Sequence, residues 1–338
     1  MKVGLVEGSA LSRRALERAL GTTEHTVAWT ASSGADAVEK YGREPPDLLL
    51  LSASITDVSP AQVTLSVLSQ GPCAIVLLSD VEGRKGGEVY EAMGSGALDV
   101  VLAPSIDPDG RLRGEEALLG KLRTVAKLLG HSSGKLRAVD SLSAPSSGAP
   151  KLIAIGASTG GPQAILTILS ALPKKLQAAL VIVQHVDSEF SEGLAAWLSD
   201  ASGITVEIAR SGSVPVVGRA LLAGKQDHLV MTGSGCFRYC AEPLALVYRP
   251  SVDVLFASLA EHWSKPGAAV LLTGMGRDGA QGLQRLRQLG WHTLAQDEAS
   301  SVVYGMPKAA AQLGAACKVM APLAIASELS DYVGRRPS

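Results

Sequence analysis

The chain is poor in aromatic side chains, which make up 4% of its 338 positions, and it has only four cysteines. Cys73, Cys236, Cys240 and Cys317 lack the paired spacing of a zinc site, and Cys236-x-x-x-Cys240 has no histidine nearby, so neither a Cys-rich metal centre nor a disulfide framework is implied. They read as reduced thiols. An excess of one charge is also missing: 31 basic against 32 acidic residues leave a formal net charge of -1, which gives no electrostatic footprint for nucleic acid or an anionic membrane. No apolar run approaches the roughly 20 residues of a membrane span. Met1-Lys2-Val3-Gly4 leads into a charged helical pattern rather than a cleavable signal. A soluble, cytoplasmic protein without membrane insertion is expected. What is plentiful is apolar side chain, 46% of the sequence, enough at this length for two separate cores.

Strand-like runs at 3–6, 26–30, 48–51, 74–78 and 100–102 alternate with helical patterns at 11–20, 35–41, 61–68, 89–93 and 110–129. Repeated βα units with short loops predict a doubly wound parallel sheet over residues 1–130. Residues 131–150 are rich in Ser, Gly, Ala and Pro without hydrophobic periodicity, which predicts a flexible linker. Residues 151–338 then form a second α/β domain.

Chemistry concentrates in that second domain. Gly156-Ala157-Ser158-Thr159-Gly160-Gly161, Gln184-His185-Val186 and Gly274-Met275-Gly276-Arg277-Asp278-Gly279 each follow an apolar β-type run. In an open parallel sheet, reactive groups gather outside the carboxyl ends of the strands, so Ser158, His185 and Asp278 can share one crevice despite their separation. A serine hydroxyl needs an imidazole to take its proton, and the imidazole needs a carboxylate to fix its tautomer. Gly156-x-Ser158-x-Gly160 also matches the sharp strand-to-helix turn that exposes a serine oxygen. Pro162 stands where the next helix starts, and that helix's first N–H groups are candidates to receive an oxyanion. The order Ser, His, Asp departs from the Ser, acid, His order of α/β-hydrolases. A phosphate-binding P-loop lacks its Lys-Ser or Lys-Thr after Gly161. Read alone, Asp278 is a helix cap for the helical stretch 279–289, and Met275 is core filler. His25, His131, His228, His262 and His292 read as structural.

Residues 151–330 resemble the catalytic domain of the chemotaxis protein-glutamate methylesterase (CheB) family. The resemblance runs through Ile155-Gly156-Ala157-Ser158-Thr159-Gly160-Gly161-Pro162, Gln184-His185, Arg249-Pro250-Ser251-Val252-Asp253-Val254-Leu255-Phe256, Leu272-Thr273-Gly274-Met275-Gly276-Arg277-Asp278-Gly279, and Ala295-Gln296-Asp297-Glu298 through Tyr304-Gly305-Met306-Pro307. It implies that Ser158, His185 and Asp278 are the triad, with no metal or organic cofactor. It also implies hydrolysis of glutamyl γ-methyl esters on the helices of methyl-accepting chemoreceptors, and deamidation of certain glutamines. The N–H groups around Thr159, Gly160 and Met275 are the expected oxyanion and substrate contacts. After the histidine this chain has Val186-Asp187-Ser188 where the family commonly has Met-Pro-Pro.

The first half resembles a response-regulator receiver domain with its chemistry removed. Ser52 falls on the position of the phosphoacceptor aspartate, Gly8 replaces one acid of the pair that would begin at Glu7, and Ala103 replaces the lysine before Pro104. Only Glu7 and Ser79 remain of the expected set. Magnesium is normally held through carboxylates, and a serine without a base is a weak nucleophile. A pseudo-receiver is expected, open to a signalling partner rather than to aspartyl phosphate; Asp47 or Asp57 as acceptor is the alternative. For the whole chain, a non-catalytic receptor-binding scaffold and an unrelated small-molecule serine esterase are the alternatives to the methylesterase.

Overall fold

The computed structural model describes residues 1–79, 86–129, 150–246 and 248–334. The expected linker lies outside the described residues except for Pro150, as does His131. The chain divides into two compact units, Met1–Gly134 and Lys135–Ser338.

In the first unit, β1 (Lys2–Val6), α1 (Ala10–Leu20), β2 (Thr26–Ala31), α2 (Gly34–Arg43), β3 (Leu48–Ser52), α3 (Pro60–Gln70), β4 (Ala74–Ser79), α4 (Gly86–Gly94) and β5 (Asp99–Leu102) alternate as the patterning predicts. The sheet is parallel with order β2-β1-β3-β4-β5, the flavodoxin-like winding. Leu48 to Leu51 of β3 are fully buried on both faces, as a central strand covered by helices requires. Ser9, Ser33 and Ser59 each accept a hydrogen bond from a first-turn N–H, which sets where α1, α2 and α3 begin. The expected helix over 110–129 is shorter. Ser105–Ile106 (β6) pairs antiparallel with Leu112–Arg113 (β7), and α5 covers Glu115–Leu129. Gly110 and Gly114, both at φ +77°, carry the left-handed turns that hold the chain out of the helix until Glu115.

The second unit is a seven-stranded parallel sheet built from β8 (Lys151–Ala157), β9 (Ala178–Gln184), β10 (Thr205–Ile208), β11 (Arg219–Leu222), β14 (Ala268–Leu271), β15 (His292–Gln296) and β16 (Lys318–Met320), in the order β10-β11-β9-β8-β14-β15-β16. Between β11 and β14 run the antiparallel hairpin β12 (His228–Met231) and β13 (Phe237–Cys240), then α8 (Val252–His262). The remaining helices are α6 (Gly161–Ala171), α7 (Ser188–Ser202), α9 (Ala280–Gln288), α10 (Met306–Gln312) and α11 (Pro322–Gly334). The chain leaves β8 toward β9 and later returns to β14 on the other side of β8. Strand order therefore reverses at β8, where α/β folds place their ligand crevice. Leu255, Phe256 and Leu259 of α8 and Leu283 and Leu286 of α9 are fully buried in one apolar cluster with β8, β9 and β14. No helix among the described residues is long and apolar enough to cross a membrane.

Candidate active site

Register places the serine beside the histidine. Ala157 of β8 pairs with Gln184 of β9, so Ser158 and His185 are the next residues on adjacent parallel strands, and His185 N–H donates to the Ala157 carbonyl at 3.0 Å. Beyond them, Gly160 takes φ +77° and caps α6, with Pro162 in its first turn. A Cβ at Gly160 would stand 2.6 Å from Val302, so both the left-handed backbone and the close approach call for glycine. On the other side, Ser158 N–H donates to the Thr273 carbonyl at 3.0 Å, and a Cβ on Gly274 would come within 2.7 Å of Ser158 Cβ. The serine is thus wedged between the exits of β9 and β14, 7% exposed.

Asp278 reaches the histidine from the loop after β14. Its Oδ2 lies 2.8 Å from His185 Nε2 and accepts from Val252 N–H at 2.7 Å. Its Oδ1 accepts from Ser251 Oγ at 2.7 Å and Asp253 N–H at 3.1 Å. Asp278 does cap a helix, but α8 rather than the α9 that follows it in sequence; α9 is capped by Gly279 without a side-chain bond. The open N-terminus of α8 is electropositive, and a carboxylate is stabilised there. Burial pushes the Asp278 carboxyl up, yet the His185 hydrogen bond and charge, the Ser251 hydroxyl and the Val252 N–H together hold it below the usual carboxylate range. Asp253 is pushed the other way, to about 6, by burial and by the Asp278 charge.

The imidazole is oriented on its remaining sides as well. Tyr248 stacks on it with centroids 4.5 Å apart and planes 4° from parallel. With Nε2 committed to Asp278, Nδ1 is buried and has no hydrogen-bond partner among the described residues. Among the described residues no hydrogen bond joins Ser158 Oγ to the ring, a common condition of a resting enzyme. Likewise, neither Thr159 N–H nor Met275 N–H has an acceptor among the described residues. Beside Asp278 opens a cavity of about 320 Å³ whose lining includes Leu246, Tyr248, Asp253, Arg277 and Leu313.

Gln184, Ser251 and Asp253 enter the sequence reading only as members of motifs, without a role, and Tyr248 not at all. Ser251 carried a signal: a serine before a helical run is an N-cap, and its Oγ accepts from Val254 N–H. His228, read as structural, supports it, because its Nδ1 accepts from Ser251 N–H at 3.1 Å.

In the first unit, Glu7, Ser52, Ser79 and Ala103 stand at the exits of β1, β3, β4 and β5, with Gly8 next to Glu7. Glu7 Oε1 accepts from Ser9 N–H, Ser52 Oγ accepts from Ser54 N–H, and Ala103 N–H donates to the Ser79 carbonyl. The residues offered as alternative acceptors are otherwise engaged: Asp57 accepts from Gly34 and Ala35 N–H at the start of α2, and Asp47 accepts from Lys2 N–H. One carboxylate with neutral neighbours does not fit a magnesium ion. Among the described residues no group of three or more His, Cys, Asp or Glu is placed to hold a metal.

A family model described as CheB methylesterase matches residues 153–329. Protein-glutamate methylesterase/protein-glutamine glutaminase 2 of Cupriavidus metallidurans is 45% identical over 332 residues, covering 97% of this chain and 97% of that relative. The protein of the same description from Pseudomonas syringae pv. syringae is 44% identical over 332 residues, covering 98% of this chain and 99% of that relative. Among solved structures, the Thermotoga maritima CheB methylesterase catalytic domain is 33% identical, with a TM-score of 0.52, and the match covers 54% of this chain and 99% of that one.

Proposed function

The chain belongs to the CheB methylesterase family, and from that premise we propose that it hydrolyses glutamyl γ-methyl esters on cytoplasmic helices of chemoreceptors with Ser158, His185 and Asp278, and deamidates glutamines by the same acyl chemistry. The observation that carries this reading is the buried His185–Asp278 pair at 2.8 Å, standing at the strand exit next to Ser158. Ser158 Oγ attacks the γ-carbonyl carbon while its proton passes to His185. Because Nε2 is bonded to Asp278, the accepting atom is Nδ1, the nitrogen left without a partner. Asp278 stays ionised throughout, fixing the Nε2–H tautomer and stabilising the imidazolium. As the tetrahedral intermediate collapses, the proton leaves with methanol, or with ammonia from a glutamine. Water then attacks the acyl-enzyme with His185 again as base, releasing glutamate and restoring the serine. The Thr159 and Met275 N–H groups, without acceptors among the described residues, receive the oxyanion, with Gly160 shaping the turn between serine and helix.

The first unit serves this reading as a pseudo-receiver. Ser52, Gly8 and Ala103 stand where acceptor, second acid and lysine are needed, so control comes from a binding partner rather than from aspartyl phosphate. The test is methanol release from membranes carrying methylated chemoreceptors, comparing the intact chain with Ser158→Ala. Release that falls by about 10⁴-fold or more is the expected result. Undiminished release by Ser158→Ala would remove the nucleophile assignment. Hydrolysis of small esters with none from the receptors would make the chain an unrelated esterase.

A further inference from the structure

Gln184 ends β9 and is nearly inaccessible, 3% exposed. Its Nε2 donates to two carbonyls, that of Ser158 at 2.9 Å and that of His185 at 3.1 Å. The Ser158 carbonyl also accepts from Gly161 N–H at 2.7 Å, so both of its acceptor positions are taken. Such a carbonyl belongs to a planar peptide whose other end is the Thr159 N–H. Two donors on the oxygen fix the plane of that peptide and polarise it, which makes the N–H a better-aimed and more positive donor. The far side is held too: the Thr159 carbonyl accepts from Thr273 Oγ1 at 2.9 Å.

The glutamine is a poor choice for stability. Its Oε1 is buried without a partner among the described residues, which costs stability that an apolar side chain of the same length would not lose. The turn is also built around it, since a Cβ on Gly161 would come within 2.0 Å of that oxygen. What the amide supplies is its Nε2. We propose that Gln184 is a positioning residue that locks the Ser158–Thr159 peptide, directing the Thr159 N–H toward the oxygen on which charge develops and tying the backbone of His185 to the same frame. The inference rests on the reading of Ser158 as nucleophile and Thr159 N–H as oxyanion donor.

The experiment compares the intact protein with Gln184→Met, which keeps length without a donor, and Gln184→Glu, which keeps shape but replaces the donor with an acceptor. For methanol release from methylated receptors, kcat is expected to fall about 10²-fold in both with KM unchanged, the effect of a small misplacement at a reacting centre. Affinity for a trifluoromethyl ketone, which forms a tetrahedral oxyanion on the serine, falls in the same proportion, while thermal unfolding stays cooperative. A folded Gln184→Met enzyme with kcat within about twofold of the parent overturns the proposal, as does a loss carried wholly by KM. Unfolding of both variants would also overturn it, making Gln184 a determinant of the fold. Ser158→Ala in the same assays separates the two levels. If it remains active, the reading of the site fails. If it is inactive while Gln184→Met is not, only the role of Gln184 fails.

Discussion

At the scale of single residues, the proposed proton transfer depends on which atoms of His185 face which partners. Asp278→Asn keeps the size of the side chain but offers a neutral amide to Nε2, allowing the imidazole to adopt the tautomer that cannot take the serine proton at Nδ1. The expected cost is about 10⁴-fold in kcat for methanol release, with the nucleophile intact. An unchanged rate would assign the acid to another residue. Ser158, His185 and Asp278 are legible in the sequence because each lies just past an apolar β-type run and two of them sit among glycines. The supporting residues are not. Tyr248 lies in a loop with no periodic signal, and Gln184 enters only as the residue before the histidine. Their contacts with the site are a ring stacking at 4.5 Å and a bond to the Ser158 carbonyl just past β8, contacts that pairing between distant segments creates.

At the scale of elements, the N-terminus of α8 is the anchor of the acid. Val252 and Asp253 N–H bind Asp278, and Val254 N–H binds Ser251 Oγ, so its first turn is satisfied by a loop and by its own cap. Local patterning assigns Asp278 to α9 because sequence neighbours are all that it sees; the loop after β14 delivers the side chain to a different helix. The same limit explains the shortened α5, where the antiparallel pairing of β6 with β7 overrides a helical pattern. A pH effect follows from the second carboxylate at this terminus. Asp253, pushed up to about 6, accepts from Gly282 N–H at 2.7 Å. Between roughly pH 4 and 6 the folded protein holds a proton there that the unfolded chain has lost, so this group's contribution to stability falls as pH rises through that window. Asp253→Asn retains an oxygen for Gly282 and is expected to remove that fall. Urea midpoints measured from pH 4 to 7 check it: an unaltered slope would contradict the assignment. The depressed Asp278 acts in the opposite sense, its contribution being lost as pH drops through the acid range below the ordinary aspartate value.

At the scale of the whole molecule, two doubly wound sheets were foreseeable from alternating β and α patterns, and each sheet gathers its reactive positions at its strand exits. One set brings together Ser158, His185 and Asp278, and the other holds Glu7, Ser52, Ser79 and Ala103. In the first unit Asp57 is engaged at the start of α2 and Asp47 at Lys2, so neither lies unused as an acceptor. A small-molecule phosphodonor with magnesium is therefore expected to change neither the mass nor the esterase rate of the intact protein. A rate increase abolished by substituting one residue of the first unit would identify an acceptor and restore phosphorylation as the control. The hairpin of β12 and β13 has no clear sequence signal. Its residues alternate only over four positions each, too few to separate a strand from a loop, yet it places His228 under Ser251.

The central claim is that hydrolysis passes through an acyl group on Ser158. Acid quenching of the enzyme during turnover of a peptide bearing a γ-methyl glutamate, followed by digestion and mass spectrometry, tests it most directly. The account predicts the glutamyl-peptide mass, less methanol, on the fragment containing Ser158, and its absence from Ser158→Ala. The same adduct on a different residue, or its persistence in Ser158→Ala, would contradict the account.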